Sequence, residues 1–156
     1  LKRHTIDAIF TSPLSRAYET ATLIGQIVTA PIVDDKRLQE IRFGRFEGLT
    51  HAQIEAEYAD EYRKWDSGDM LYAVPDGESR RAVQLRMAQA WEEIIARADY
   101  DTVAIISHGA AIKILLHHIF YRLPNESIRN TSMTTLCRFE EIWELETFAE
   151  TPHLND

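Results

Sequence analysis

A wholly apolar segment, Val103-Ala104-Ile105-Ile106, narrows the choice of fold more than any other part of the sequence. A strand that is apolar at every position is typical of a parallel sheet that is covered on both faces. A helix is predicted after this segment, from about Ala110 to Tyr121. It is apolar nearly all round and is therefore expected to be buried. A long amphipathic helix precedes the segment, and its inward stripe is expected to hold Val83, Met87, Ala90, Trp91, Ile94 and Ala98. Helix, buried strand and helix in succession predict βαβ units.

The amino-terminal part of the chain shows the same alternation. Ile6 to Phe10 predicts a short strand, and Ile32-Val33 predicts another. Between them, Ser12 is expected to cap a helix and Pro13 to occupy its first position. That helix is predicted from about Leu14 to Val28, with an inner face of Ala17, Ala21, Ile24 and Val28. Strands that alternate with helices in this way predict an α/β fold with a mainly parallel sheet.

The middle and the end of the chain have different patterns. Residues 38–49 contain two glycines and predict a loop, and residues 67–77 are rich in turn formers. Thr50 and Gln53 have the spacing of a capping box. The helix that they open carries a stripe of Ile54, Tyr58, Tyr62 and Trp65. Two strand-like stretches, near Met133 to Arg138 and Ile142 to Phe148, predict a closing hairpin.

Composition excludes several classes of protein. The chain has 156 residues, 45% of them hydrophobic, which suits one soluble domain. Its formal charge of −8 argues against a general nucleic-acid-binding surface, and no apolar run approaches the ~20 residues of a membrane span. The single cysteine, Cys137, excludes an internal disulfide, fits a reducing cytoplasm and is expected to be a buried core thiol. His117 and His118 are adjacent on a helix, so we expect packing or surface roles rather than metal ligation.

Chemistry is expected where parallel strands end. His108 follows the buried strand and precedes a helix, whose free N–H groups favour an anion. Gly109 lacks the Cβ that would block a close approach. A histidine placed in this way can hold, protonate or attack a phosphoryl group. The alternative is a structural histidine at a strand end.

Arg16 and Glu40 are the other candidates. Arg16 lies in a first helical turn, where the helix dipole disfavours a cation unless a phosphate binds beside it. Its alternative is a surface arginine that pairs with Glu19 or Glu40. Glu40 would serve as general acid for a leaving alkoxide if it lay near Arg16 and His108, although alone it is one of many carboxylates. Two further acids have weaker cases, Glu47 and Glu78.

Taken in order, these segments resemble the histidine phosphatase superfamily, and within it the phosphoglycerate-mutase-like branch. The matching segments are Ser12-Pro13-Leu14-Ser15-Arg16-Ala17, residues 38–48, Gly77-Glu78-Ser79, Ser107-His108-Gly109, Asn130-Thr131-Ser132 and Pro152-His153-Leu154. The resemblance spans essentially the whole chain and depends on the order of the segments rather than on any one of them. It implies a three-layer α/β/α fold, a single domain over residues 1–156 and a cap-like insertion at about 45–79 that sets substrate choice.

The resemblance also implies a role for each site residue. Arg16 corresponds to a phosphate-pocket arginine, Glu40 to the proton donor for the leaving group and His108 to the second histidine, which stabilises the transition state. Gly109 and Asn130, or Ser132 in place of Asn130, are expected at the phosphate pocket. The implied enzyme is a cytoplasmic phosphatase that acts on a small phosphorylated metabolite without metal or other cofactor. Relatives are often dimers, so a homodimer is a possible state, and neither nucleic acid nor a membrane is expected as a partner.

One departure from the family pattern is large. The family opens with Arg-His-Gly, whose histidine is the nucleophile, and this tripeptide is absent from the sequence. Arg3-His4-Thr5 is not its equivalent, because it precedes the strand that leads to Ser12, where the family has the end of its first helix. We therefore expect that a strand, a loop and a helix are missing, roughly 30 residues or more on the scale of a βα unit.

Truncation explains this departure better than a natural pseudoenzyme does, because a pseudoenzyme would keep its central strand. The chain alone is therefore expected to be inactive on p-nitrophenyl phosphate. Two alternatives to a phosphatase remain open: a phosphoglycerate-mutase-type phosphotransferase, and a non-catalytic phosphate-binding module.

Overall fold

The computed structural model describes residues 5–97 and 99–154. Within these ranges the strands are β1 (Ala8–Thr11), β2 (Ile32–Asp34), β3 (Val103–Ile106), β4 (Met133–Phe139) and β5 (Ile142–Glu150). The α-helices are α1 (Ser15–Val28), α2 (His51–Glu57), α3 (Ala59–Asp66), α4 (Arg80–Ile95) and α5 (Gly109–Ile119). Short 3₁₀ turns occupy Lys36–Leu38, Gly44–Phe46 and Pro152–Leu154.

The central sheet is parallel, as the sequence predicts. It has the order β2-β1-β3, so the first strand lies between its two neighbours. Thr11 at the end of β1 is in register with Asp34 of β2 and with Ile106 of β3. The N–H of Ser12 donates to the Ile106 carbonyl at 2.9 Å, which extends the pairing one residue past β1. The carboxyl ends of β1 and β3 therefore lie side by side.

Helices cover both faces of this sheet. Alternate side chains of β1, Ala8 and Phe10, enter a core that α4 and α5 complete. That core also contains Leu38, Ile41, Val83, Met87, Ala90, Ile94, Ala111 and Leu115. Helix α1 packs on all three strands with its buried face of Ala17, Ala21 and Gly25 and contributes nothing to that core, so it covers the other face of the sheet. The result is the expected three-layer α/β/α fold.

The carboxyl-terminal hairpin is also present, but it forms a sheet of its own. Strands β4 and β5 pair antiparallel and, among the described residues, have no ladder to β3. Trp143 of β5 packs edge-on against Trp91 of α4, with ring centroids 4.8 Å apart. Cys137 lies on the exposed side of this hairpin, where its thiol donates to Glu146 at 3.2 Å. The expectation of a buried core thiol is therefore wrong, because the hairpin leaves this side of β4 uncovered.

Two predicted helices differ in detail from the structure. Helix α5 buries Ala111, Leu115 and Leu116 but exposes Lys113, His117 and His118, so its predicted burial all round is wrong. Only one side of α5 faces the core, and apolar composition alone does not reveal this. The inward stripe of α4 is confirmed at Val83, Met87, Ala90 and Ile94, with Trp91 half-buried, whereas Ala98 lies outside the described residues.

The segment between β2 and α4 consists of loops, 3₁₀ turns and two short helices. The capping box at Thr50 and Gln53 is confirmed, but the helix breaks at Tyr58 and gives α2 and α3 instead of one helix. Gly44 has φ +54, and a Cβ placed there would lie 2.1 Å from the Pro75 carbonyl oxygen. Glycine is required at this point because residues 42–45 pass directly against residues 75–77.

Across residues 5–97 and 99–154, no helix combines the length and apolarity that crossing a bilayer requires.

Candidate active site

Two strand ends bring His108 and Ser12 together. His108 lies two residues after the end of β3 and is only 7% exposed to solvent. Its Nε2 lies 2.8 Å from the Ser12 Oγ. Ser12 is fully buried, and its Oγ also accepts from the Leu14 N–H at 3.3 Å. The expectation that Ser12 caps α1 is wrong, because Leu14 occupies the N-cap and Pro13 lies before the helix. The hydroxyl instead fixes the ring of a histidine 96 residues away.

The surroundings of His108 favour its neutral form. Burial lowers the pKa of His108 below its ordinary value, and the positive charges of Arg16 and Arg86 lower it further. The negative charge of Glu40 acts in the opposite direction but does not compensate. A neutral imidazole has one donor nitrogen and one acceptor nitrogen, and the Ser12 hydroxyl can complement either role at Nε2.

Glu40 lies against the first turn of α5. One carboxylate oxygen, Oε1, accepts from the N–H groups of Ile41 at 2.9 Å and Ala111 at 3.0 Å. The other, Oε2, accepts from the Ala110 N–H at 3.3 Å. Free N–H groups at the start of a helix are suitable partners for an anion. The sequence predicts a phosphate at this helix end. In the structure the Glu40 carboxylate accepts from the N–H groups of Ala110 and Ala111, which follow directly after Gly109.

Gly109 has a packing reason for lacking a side chain. A Cβ on Gly109 would lie 3.3 Å from the Ile128 carbonyl oxygen, so the chain before β4 passes close to the start of α5. Asn130 is two residues further along this segment and is exposed, with no hydrogen bond from its side chain to another described residue. The phosphate-binding roles of Gly109 and Asn130 stay predictions. Ser132 donates its hydroxyl to the Arg129 carbonyl at 2.8 Å within the same turn.

Arg16 lies in the first turn of α1, as expected, and is exposed. Among residues 5–97 and 99–154, no carboxylate comes within 4.0 Å of its guanidinium. Pairing with Glu19 or Glu40, the alternative for a surface arginine, is therefore not found. Its charge nevertheless acts on His108, whose pKa it lowers. Arg16 is thus an available cation within electrostatic reach of the histidine.

The two weaker candidates have structural partners. Glu47 accepts from the Phe43 N–H at 2.9 Å and so closes a turn. Glu78 accepts from Arg86 Nε at 3.0 Å. Arg86 itself is a residue that the sequence analysis missed. A signal was present, since Arg86 is a cation between Val83 and Met87 on the inward stripe of α4.

An aromatic cavity with a volume of about 520 Å³ lies within the segment between β2 and α4. It begins three residues after Glu40 and is lined by Phe43, Phe46, Glu47, Gly48, His51, Ile54, Tyr62 and Trp65. The His51 Nε2 lies 2.6 Å from the Tyr62 hydroxyl oxygen on its wall. The cavity therefore offers flat apolar surfaces together with a few polar groups, as pockets for small organic molecules do.

The fold and the site together define a class of protein. It is an α/β protein in which adjoining strand ends gather a buried neutral histidine, a carboxylate and an available arginine, a set of groups suited to phosphoryl transfer. The model of the histidine phosphatase superfamily (branch 1) matches residues 1–151, and the chain therefore belongs to that superfamily. The resemblance drawn from the sequence is confirmed.

The chain is similar to several named proteins. A glucosyl-3-phosphoglycerate phosphatase of Mycobacterium tuberculosis is 35% identical over 115 residues, which cover 69% of this chain and 51% of the relative. A probable phosphoglycerate mutase, GpmB of Proteus mirabilis, is 26% identical over 100% of this chain and 77% of its own length. The structure of Bacillus stearothermophilus YhfR is 28% identical, covers 99% of this chain and 79% of that protein, and has a TM-score of 0.87.

The chain is shorter than these relatives. It spans about half the length of the glucosyl-3-phosphoglycerate phosphatase and 31% of a 36% identical bifunctional protein of Mycobacterium tuberculosis. Some of these relatives carry phosphatase or mutase names, and the structural match confirms the fold.

Proposed function

We propose that the complete protein is a phosphohydrolase that releases phosphate from small phosphomonoesters through a phosphohistidine intermediate. The observation that carries this proposal is the juxtaposition of His108, Ser12 and Glu40 where β1 and β3 end, with the charge of Arg16 close by. A histidine that is held neutral beside a cation is suited to contact a phosphoryl group. Phosphatase and mutase names among the relatives support the same reaction class.

The proposed reaction has two steps. A nucleophilic histidine attacks phosphorus in line, the P–O bond to the organic group breaks, and Glu40 donates a proton to the leaving oxygen. Glu40 then takes a proton from water as the water attacks the phosphohistidine and releases phosphate. In both steps Arg16 and His108 bind the equatorial oxygens, where negative charge is greatest.

The nucleophile is proposed to come from a segment outside this sequence. The other histidines among the described residues, His51, His117, His118 and His153, are exposed and none contacts His108. Strand β3 pairs with β1 on one side and, within residues 5–97 and 99–154, with nothing on the other. A further parallel strand on this edge would end beside His108, because parallel strands share their carboxyl ends.

The substrate is proposed to be a small phosphomonoester whose organic part enters the aromatic cavity. Phe43 and Trp65 meet edge-on in its wall, with centroids 5.5 Å apart, and make that part of the lining apolar. The cap-like insertion at 45–79 is short, about 35 residues. A short insertion favours water rather than a second substrate hydroxyl as the acceptor of the phosphoryl group. The mutase reading therefore ranks second.

The test compares this chain with a form that carries an Arg-His-Gly segment ahead of it. Phosphate release from a panel of phosphomonoesters is measured for both, together with acid-quenched trapping of phosphohistidine and a search for isomerised product. We expect turnover and a trapped intermediate only in the longer form, and loss of both in its His108→Ala variant. Turnover by the chain alone that His108→Ala abolishes would make His108 the nucleophile and overturn the proposed assignment.

A further inference from the structure

Arg86 uses every N–H of its guanidinium on the segment that carries Glu40 and on one carboxylate. Its Nη1 donates to the carbonyls of Arg37 at 2.6 Å and Gln39 at 2.8 Å, and its Nη2 donates to the carbonyl of Glu40 at 3.2 Å. Its Nε and Nη2 also donate to the two oxygens of Glu78, at 3.0 and 3.1 Å. Guanidinium has five N–H donors, and all five have partners here.

A serine completes the set of contacts on this segment. Ser107, which immediately precedes His108, donates its hydroxyl to the Leu38 carbonyl at 2.7 Å. The four consecutive carbonyls of residues 37–40 are thus all held by side chains. Three of the four bonds come from Arg86 on α4, and the fourth comes from the end of β3. The backbone of the acid is therefore tied to both elements that surround it.

Glu78 holds the other side of Glu40. Its Oε2 accepts from the Arg42 N–H at 3.2 Å, and its own N–H donates to the Arg42 carbonyl at 2.8 Å. Burial alone would raise the pKa of Glu78, but the Arg86 guanidinium and the Arg42 N–H together hold it below its ordinary value. The side chains of Arg86 and Glu78 are only 19% and 15% exposed. This is a half-buried ion pair with its hydrogen bonds filled, which differs from a mobile surface contact.

We propose that Arg86 and Glu78 are positioning residues for the proton donor, a clamp that fixes the Glu40 backbone so that its carboxylate stays on the first turn of α5. This inference rests on the proposed function, because it concerns how that reaction obtains its proton. Neither residue contacts the carboxylate of Glu40. The clamp instead acts on residues 37–42, which have no strand or long helix to order them.

In the first step, which forms the phosphohistidine, the position of the acid matters only when the leaving group needs a proton; in the second step Glu40 acts as base in the same way for every substrate. An alkoxide is a poor leaving group, so cleavage of an alkyl phosphate depends on Glu40. The p-nitrophenolate anion leaves without protonation. A defect in the clamp should therefore slow alkyl substrates selectively, whereas general damage to the fold should slow alkyl and aryl substrates alike.

The experiment uses the active, longer form with Arg86→Met and with Glu78→Gln, which preserves shape if the first variant folds poorly. Turnover of glycerol 3-phosphate and of p-nitrophenyl phosphate is measured for each. General acid catalysis contributes about 10²–10⁴-fold, and kcat/KM reports the step that forms the phosphohistidine, so we expect kcat/KM on the alkyl ester to fall by about 10- to 100-fold in Arg86→Met. The fall on the aryl ester should be about threefold or less. Adding Glu40→Gln should remove the alkyl effect, because the two changes act through one group.

A second measurement does not depend on turnover. The N–H groups of Ala110 and Ala111 donate to Glu40, so their hydrogen exchange in this chain reports whether the carboxylate is in place. We expect about tenfold faster exchange in Arg86→Met and Glu78→Gln. The control is Arg81→Met, an arginine on the same helix that is exposed and donates only to Gln84, at 2.6 Å. It should change neither the exchange nor the ratio of alkyl to aryl turnover.

The two proposals fail in different ways. If neither ester is turned over by the unmodified longer form, the proposed function is wrong, and the exchange measurement still decides the clamp. If both clamp variants keep the exchange of Ala110 and Ala111 unchanged, the clamp is wrong. Equal losses on alkyl and aryl esters, or an alkyl loss that persists undiminished when Glu40→Gln is added, would also overturn it.

Discussion

Burial and neighbouring charges favour the neutral form of His108, and a bound phosphate would favour the charged form. Burial and the charge of Arg16 lower its pKa, so the folded chain disfavours the imidazolium form. A bound dianion would act in the opposite direction, because negative charge within a few ångströms stabilises a cation. The imidazole of His108 would then be mainly neutral before the phosphoryl group binds. Once that group is in place, the imidazole would be charged and would stabilise the negative oxygens.

The first prediction follows at the level of this residue. We expect inorganic phosphate or vanadate to raise the pKa of His108 from its lowered value, since the anion offsets both burial and Arg16. An NMR titration of the imidazole with and without the anion measures the change. In Arg16→Met the pKa of His108 without the anion should be higher, and the rise in that pKa on adding the anion should be smaller. An unchanged His108 pKa at saturating anion would contradict a phosphate site at this position.

Acid stability depends on the same residue. An unfolded histidine has a pKa of about 6.5, and the folded pKa of His108 is lower, so the unfolded chain binds a proton first as pH falls. The contribution of His108 to stability is therefore complete above about pH 6.5 and decreases as pH falls through the folded pKa. Urea unfolding of the chain and of His108→Gln between pH 7 and pH 5 should show this slope only in the unmodified protein.

At the level of the elements, the loops are what place the acid. Glu40 belongs to neither a strand nor an α-helix, and its position depends on residues 42–45 packing against residues 75–77. Arg45 donates its N–H to the Pro75 carbonyl at 3.1 Å, and Gly44 leaves room for that approach. The two loops are thus bonded to each other within a few residues of Glu40.

Gly44→Ala tests this packing. Alanine there would combine the unfavourable φ of +54 with a Cβ 2.1 Å from the Pro75 carbonyl oxygen. Gly68→Ala is a matched control, because its φ is +79 but no atom lies within 4 Å of the added Cβ. We expect a loss of about 1 kcal/mol for Gly68→Ala from backbone strain, and of about 3 kcal/mol or more for Gly44→Ala. Equal losses of unfolding free energy would mean that contact between the loops is not what Gly44 permits.

At the level of the whole molecule, the outer edge of β3 in the central sheet is unpaired among residues 5–97 and 99–154. The four residues of β3 are half-buried, although all are apolar, whereas the four residues of β1 are fully buried. An apolar strand with an unpaired edge invites pairing with a further strand.

The last prediction concerns that edge. In the longer form with the Arg-His-Gly segment, we expect slower hydrogen exchange at the β3 amides that do not bond to β1, because a new strand would pair with them. The amides of the β4–β5 hairpin loop serve as an internal control that should change little. No added protection at β3 in a form that nonetheless has turnover would place the nucleophile elsewhere.

The sequence alone predicted most of the elements and their order, although it predicted one helix where the structure has α2 and α3. Apolar periodicity gave β1, β3, α1 and α4, and the capping box gave the start of α2, because these signals act over one or two turns of chain. The ordered segments also indicated the superfamily and its candidate residues Arg16, Glu40 and His108. Nothing in these local patterns states which side of α5 faces the core, or that β4 leaves Cys137 uncovered.

Only the tertiary structure decided which groups meet. Ser12 bonds to His108 across 96 positions, Ala111 to Glu40 across 71, and Arg86 to the Glu40 carbonyl across 46. Such pairs depend on the register of β1 with β3 and on how α4 lies over the loops. A carboxylate or a guanidinium looks the same in a sequence whether water or backbone will surround it, and only packing determines which of the two occurs.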